Sequence, residues 1–135
     1  MRSILGRTLL AAALCLYALG AAADAVTDRA KALLQRQDPQ GAYKLLLPLE
    51  SQRAGDPEYD YLLGIAALDA GDPERAVFAL ERVLALQPEN LQARAEIGRA
   101  YLAMGEREAA KREFEAVKAR QVPAQAGPAR GDSSR

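Results

Sequence analysis

Three regimes of apolar and polar spacing succeed one another along the chain. From Thr8 to Ala23 nearly every residue is apolar and none is charged. From Val26 to Arg120 apolar residues recur at helical spacing among charged ones, the pattern of helices with one buried face. Beyond Gln121 that spacing is lost to Pro, Gly, Ser and Arg, which predicts a disordered tail over 121–135.

The middle stretch repeats itself. Ala42, Ala76 and Ala110 stand 34 residues apart, and Ala30, Gly64 and Gly98 keep the same step. So do Leu33, Ala67 and Tyr101; Gln37, Gly71 and Gly105; and Asp38, Asp72 and Glu106. Leu46, Leu80 and Phe114 form a further column, and Leu49, Val83 and Val117 another. Small residues at Gly64, Gly98, Ala42, Ala76 and Ala110 let two helices approach closely, while Leu80 and Phe114 fill the space between them. Asp38-Pro39, Asp56-Pro57 and Asp72-Pro73 read as helix starts, an Asp cap followed by Pro at the first helical position. Gly71 and Gly105 suit turns that need a positive φ. These signals predict helices over 25–36, 39–53, 57–70, 73–86, 91–104 and 107–120, with Pro48 kinking the second or ending it early.

Composition agrees with helices. Ala and Leu dominate, Trp is absent and β-branched residues are too sparse for a sheet. The expected fold is all-α, with three antiparallel helix-turn-helix hairpins stacked as a short right-handed solenoid behind the N-terminal segment.

A period of 34 residues is the tetratricopeptide length. Residues 57–120 resemble two tetratricopeptide repeats, with Leu63-Gly64, Ala67, Ala76, Leu80, Val83 and Pro88 at motif positions in one. Ile97-Gly98, Tyr101, Ala110, Phe114 and Val117 hold them in the next. Residues 24–56 resemble a degenerate first repeat in which Arg29 replaces an expected leucine. The domain then covers 24–120, in repeats of about 23–56, 57–90 and 91–120. More narrowly, the segments 57–64 and 93–102 look similar to the periplasmic repeat modules that precede outer-membrane barrels, as in surface lipoprotein assembly modifiers. No barrel follows here, so that likeness implies a stand-alone periplasmic adaptor or a truncated relative.

The resemblance implies a protein-interaction scaffold rather than an enzyme, with a partner held on the concave face made by the first helix of each repeat. Carried over position by position, that groove comprises Lys31, Leu34, Tyr61, Ile65, Leu68, Arg99 and Leu102, with Thr27, Leu62, Gln92, Ala95 and Glu96 beside them. Tyr61, Ile65 and Leu68 make an apolar strip flanked by Lys31 and Arg99, suited to a peptide with an apolar side chain and an acidic end. The chaperone-tail clamp of some relatives is not reproduced, since Lys31 alone keeps its positive charge and Glu96 repels a carboxylate. The open end of the stack leaves Phe114 and Val117 to be covered by self-association into a homo-oligomer, by a partner, or by the aliphatic stems of Arg107, Lys111, Arg112 and Lys118.

Arg2 and Arg7 ahead of the apolar run, and Ala21-Ala22-Ala23 and Ala23-Asp24-Ala25 after it, predict a signal peptide over 1–23. The run is short for a spanning helix, which takes roughly 20 residues. Cleavage places the protein in the periplasm or outside the cell; retention anchors it to the inner membrane facing the periplasm. Leu14 before Cys15 argues against lipidation.

Charge and chemistry narrow the functions further. The chain carries 18 basic and 18 acidic residues, and no basic stripe that nucleic acid requires. Without histidine, and without Cys15 once the leader is removed, imidazole and thiolate chemistry are excluded, and no metal, cofactor or small-molecule substrate is expected. Glu106, Glu108, Glu113 and Glu115 alternate with Arg107, Lys111 and Arg112 as a solvated helix face. Ser51 has no histidine to activate it, and Arg130-Gly131-Asp132 reads as a chance tripeptide.

Overall fold

The computed structural model describes residues 25–121. The leader, Cys15 and the Arg130-Gly131-Asp132 tripeptide lie outside the described residues. The described part of helix α1 covers 25–35 and is followed by α2 (Pro39–Leu46), a 3-10 turn (Leu47–Leu49) and α3 (Glu50–Arg53). Then come α4 (Pro57–Ala70), α5 (Pro73–Leu86), α6 (Leu91–Ala103) and α7 (Arg107–Gln121). There is no strand among the described residues.

The 34-residue repeat reappears as three copies of one turn. Gln37, Gly71 and Gly105 all take a positive φ, at 60°, 95° and 81°. The next residue in each case bonds back to a helical carbonyl: Asp38 N–H to Leu33 O at 2.9 Å, Asp72 to Ala67 and Glu106 to Tyr101, both at 2.8 Å. This is the Schellman stop, which satisfies carbonyls that a helix end would leave unpaired. The same residues then start the following helices. Asp38 accepts from Gly41 N–H and Asp72 from Arg75 N–H, with Pro39 and Pro73 at the first helical position. Stop and start occupy adjacent residues, so the two helices of a hairpin must run antiparallel.

Hairpins then stack in order. Helix α4 packs on α5 and α6 on α7 within hairpins, while α2 meets α4 and α5 meets α6 between them. Because α4 has a neighbour on each side, it is buried almost all round, with Tyr59, Leu62, Leu63, Ala66, Ala67 and Leu68 inside. Two clusters result. One joins Ala30, Ala42 and Leu46 to Tyr59, Leu63 and Ala79; the other joins Leu68, Val77 and Leu80 to Ala93, Ile97 and Ala100.

The second helix departs from the continuous 39–53 segment of the sequence pattern. Pro48 has no N–H to donate, and α2 stops at Leu46 before a 3-10 turn. Glu50 N–H turns to Leu47 O, and the Leu46 carbonyl accepts instead from the Tyr59 hydroxyl at 2.7 Å. A side chain of the second hairpin repairs the break in the first.

Candidate functional site

The first helices of the hairpins, α1, α4 and α6, share one side of the stack. Ion pairs tie them: Lys31 of α1 to Glu58 of α4, and Asp69 of α4 to Arg99 of α6 at 3.1 Å. On this side a concavity of about 350 Å³ is lined by Lys31, Pro57, Glu58, Tyr61, Leu62, Gln87 and Asn90. Asp56 makes this wall possible by capping α4 through Glu58 and Tyr59 N–H, so Pro57, Glu58 and Tyr61 follow on its first turns. Asn90 closes the other edge while capping α6 through Ala93 N–H at 3.0 Å.

Of the groove residues read from the sequence, Lys31 and Tyr61 line the concavity together. Leu34 and Ile65 are half-buried on the same helices, outside that lining. Leu68 is corrected: it is only 9 % exposed and belongs to the core between the second and third hairpins, so it offers a partner little surface. Leu102, one repeat further on, is 51 % exposed, since among the described residues no further hairpin packs against it.

The electrostatics also differ from the sequence reading. Lys31 is engaged by Glu58, and Arg99 is engaged twice, by Asp69 and by Glu96. Burial lowers the pKa of Arg99, but the Glu96 and Asp69 carboxylates outweigh it and the net direction is up. The Tyr61 phenol is raised first by burial and then by Glu96, with Arg99 opposing. Neither cation is held ready for an acidic group on a ligand.

The small residues of the repeat columns sit where helices touch. A Cβ on Gly64 would lie 2.6 Å from Leu80 Cγ, and one on Gly98 2.7 Å from Phe114 Cε1. Ala42, Ala76 and Ala110 are fully or almost fully buried. Phe114 covers Gly98 and remains 36 % exposed. Beside it, Lys111 and Lys118 occupy the positions where the second hairpin uses Val77 and Leu84 to seal against the third.

One feature escaped the sequence reading. Asp60 is fully buried, accepts from Arg82 Nε at 3.0 Å and Nη2 at 2.7 Å, and accepts the Gly55 N–H at 2.8 Å. Arg82 also reaches Glu50, which holds Arg75 as well. The only local signal was an Asp three and four residues before Leu63 and Gly64, on the buried side of α4. Among the described residues no group of carboxylates is arranged to hold a metal ion, and no helix is long and apolar enough to cross a membrane. Glu113 is taken up by Arg94 at 3.0 Å.

Short antiparallel hairpins, stacked through small residues and presenting one lined face, define a helical-repeat protein. Two family models, both described as Tetratricopeptide repeat, match residues 27–90 and 67–127. The chain belongs to the tetratricopeptide repeat family, and its repeats mark it as a protein–protein interaction scaffold. The matches reach the repeat itself and not the narrower barrel-associated module. No curated protein matches the chain.

Proposed function

We propose that this chain is a non-enzymatic adaptor of the bacterial cell envelope that holds a partner protein by an extended segment seated on the face made by α1, α4 and α6. The observation that carries this reading is the concavity under Tyr61. A half-buried aromatic beside apolar Leu62 and Pro57, rimmed by polar Lys31, Glu58, Gln87 and Asn90, is the composition of a protein-binding hot spot with a wet rim. Crosslinking in intact cells, followed by the same experiment on Tyr61→Ala, tests it. Loss of the crosslinked partner with the fold intact is expected; an unchanged partner places binding elsewhere.

The envelope part of the proposal rests on Arg2, Arg7 and the apolar run Thr8–Ala23. Mass spectrometry of the mature N-terminus is expected to find Asp24 or Val26 first. An intact Met1 in the membrane fraction would instead favour an inner-membrane anchor.

A further inference from the structure

We infer that the partner segment is basic rather than acidic: an apolar side chain seated at Tyr61, with a Lys or Arg about four residues away reaching Asp69. The inference rests on the proposed groove and adds the chemistry of its occupant. The ionisable residues of the first-helix face are Asp28, Lys31, Glu58, Asp69, Glu96 and Arg99. Asp28 belongs here by register, standing one repeat before Leu62 and two before Glu96. Carboxylates outnumber cations on this face by two, and both cations are already paired with carboxylates of the same face.

An acidic ligand would have to pull Arg99 from Asp69 and Glu96, or Lys31 from Glu58, and then sit among the carboxylates left behind. A basic ligand needs no such exchange. Asp69 is more than a third exposed, and Glu58 more than half, so both can take a second cation from solvent. Spacing fixes the motif. Tyr61 and Asp69 are eight residues apart on α4, about 12 Å along a helix axis at 1.5 Å per residue. An extended peptide covers that in about four residues at roughly 3.3 Å each. Leu102, exposed beyond Arg99, gives the far end of the segment an apolar rest.

The test is selection of a phage-displayed library of random twelve-residue peptides on the full chain, with enriched peptides then measured on variants. Enriched sequences are expected to pair Leu, Ile, Phe or Met with Lys or Arg four positions away. Asp69→Lys, at an exposed site, should weaken them about threefold to tenfold, as loss and reversal of an exposed charge pair allows. Arg99→Gln frees Asp69 and Glu96 and should tighten binding of the same peptides, whereas an acidic ligand would lose affinity. Selected peptides that depend on Tyr61 but are acidic, or that bind Arg99→Gln more weakly, overturn the charge assignment and leave the groove standing. Peptides indifferent to Tyr61→Ala in a folded variant, or no enrichment at all, overturn the groove and this inference together.

Discussion

Adding one methyl group to each of two equivalent glycines should have opposite consequences. Gly64 and Gly98 hold the same repeat position, and Ala at either gains about 1 kcal/mol of helix propensity. At Gly64 the new Cβ would lie 2.6 Å from Leu80 Cγ and 2.9 Å from Cδ2. Leu80 is fully buried and its branch carbon cannot retreat without moving α5, so the overpacking cost of about 1–3 kcal/mol applies in full. Gly64→Ala should therefore lose about 1 kcal/mol net, the middle of that cost less the propensity gain. At Gly98 the obstacle is Phe114 Cε1 and Cζ, the far edge of a ring that is 36 % exposed and can swing toward solvent. Most of the propensity gain then survives, and Gly98→Ala should be neutral or more stable by up to about 1 kcal/mol. For a domain of this size each kcal/mol moves the Tm by about 4–8 °C, so the two variants should separate clearly in thermal melts followed by circular dichroism. Gly64→Ala melting at or above the parent, or both variants shifting together, would show that Leu80 and Phe114 are not the determinants.

Ala76→Leu, in the fully buried partner column, should cost about 1–3 kcal/mol by overpacking; an unchanged urea midpoint would refute close approach there. Arg82→Ala strands the buried Asp60 carboxylate with only the Gly55 N–H, and breaking a buried pair costs about 3–5 kcal/mol. A loss near zero in urea unfolding would mean that the charge finds another partner. Tyr59 adds a pH signature, since burial and then Glu50 and Asp60 push its phenol from 10.0 up to about 12. The fold favours the neutral phenol, so this contribution is complete below pH 10 and is lost as pH climbs toward about 12. Tyr59→Phe should flatten that alkaline loss and also cost about 1–2 kcal/mol by leaving the Leu46 carbonyl unpaired; an unchanged alkaline slope refutes the assignment.

The sequence revealed those parts of the molecule that recur at short range or at the fixed step of 34 residues. Hairpin turns were legible because an Asp cap, a Pro and a left-handed position are local chemistry, and the same column carries all three turns. Gln37 in that column shows the limit: its positive φ follows from the repeat and not from its own preference. Leu68 and Leu102 share a column, yet one is buried and the other exposed. The difference comes from the third hairpin packing over Leu68, while none among the described residues packs over Leu102, and no pattern within one repeat can express that. Arg99 read as a free cation although Glu96 stands three residues before it; its second partner, Asp69, was hidden because it lies 30 residues away in sequence and beside it in space. The partner of Asp60 was hidden by the same kind of separation: Arg82 is 22 residues off and on another helix.

The two junctions between hairpins are held by different forces. Between the second and third, Val77, Leu80, Ala93, Ile97 and Ala100 form an apolar cluster, joined by the exposed Asp69–Arg99 pair. Between the first and second, apolar packing is joined by Glu50, Asp60, Arg75 and Arg82. The break at Pro48 explains the contrast. It ends α2 early and starts the short α3 with Glu50, which clasps both arginines of α5, while Tyr59 takes up the carbonyl that the break exposes. A degenerate first repeat thus stays docked through directional bonds, which fix angle and register more tightly than apolar contact alone. That docking matters for the concavity, because Lys31 stands on α1 and Glu58, Tyr61 and Leu62 stand on α4, one on each side of the polar junction. The shape presented to a partner is therefore set by residues that never touch it, on the opposite flank of the first two hairpins.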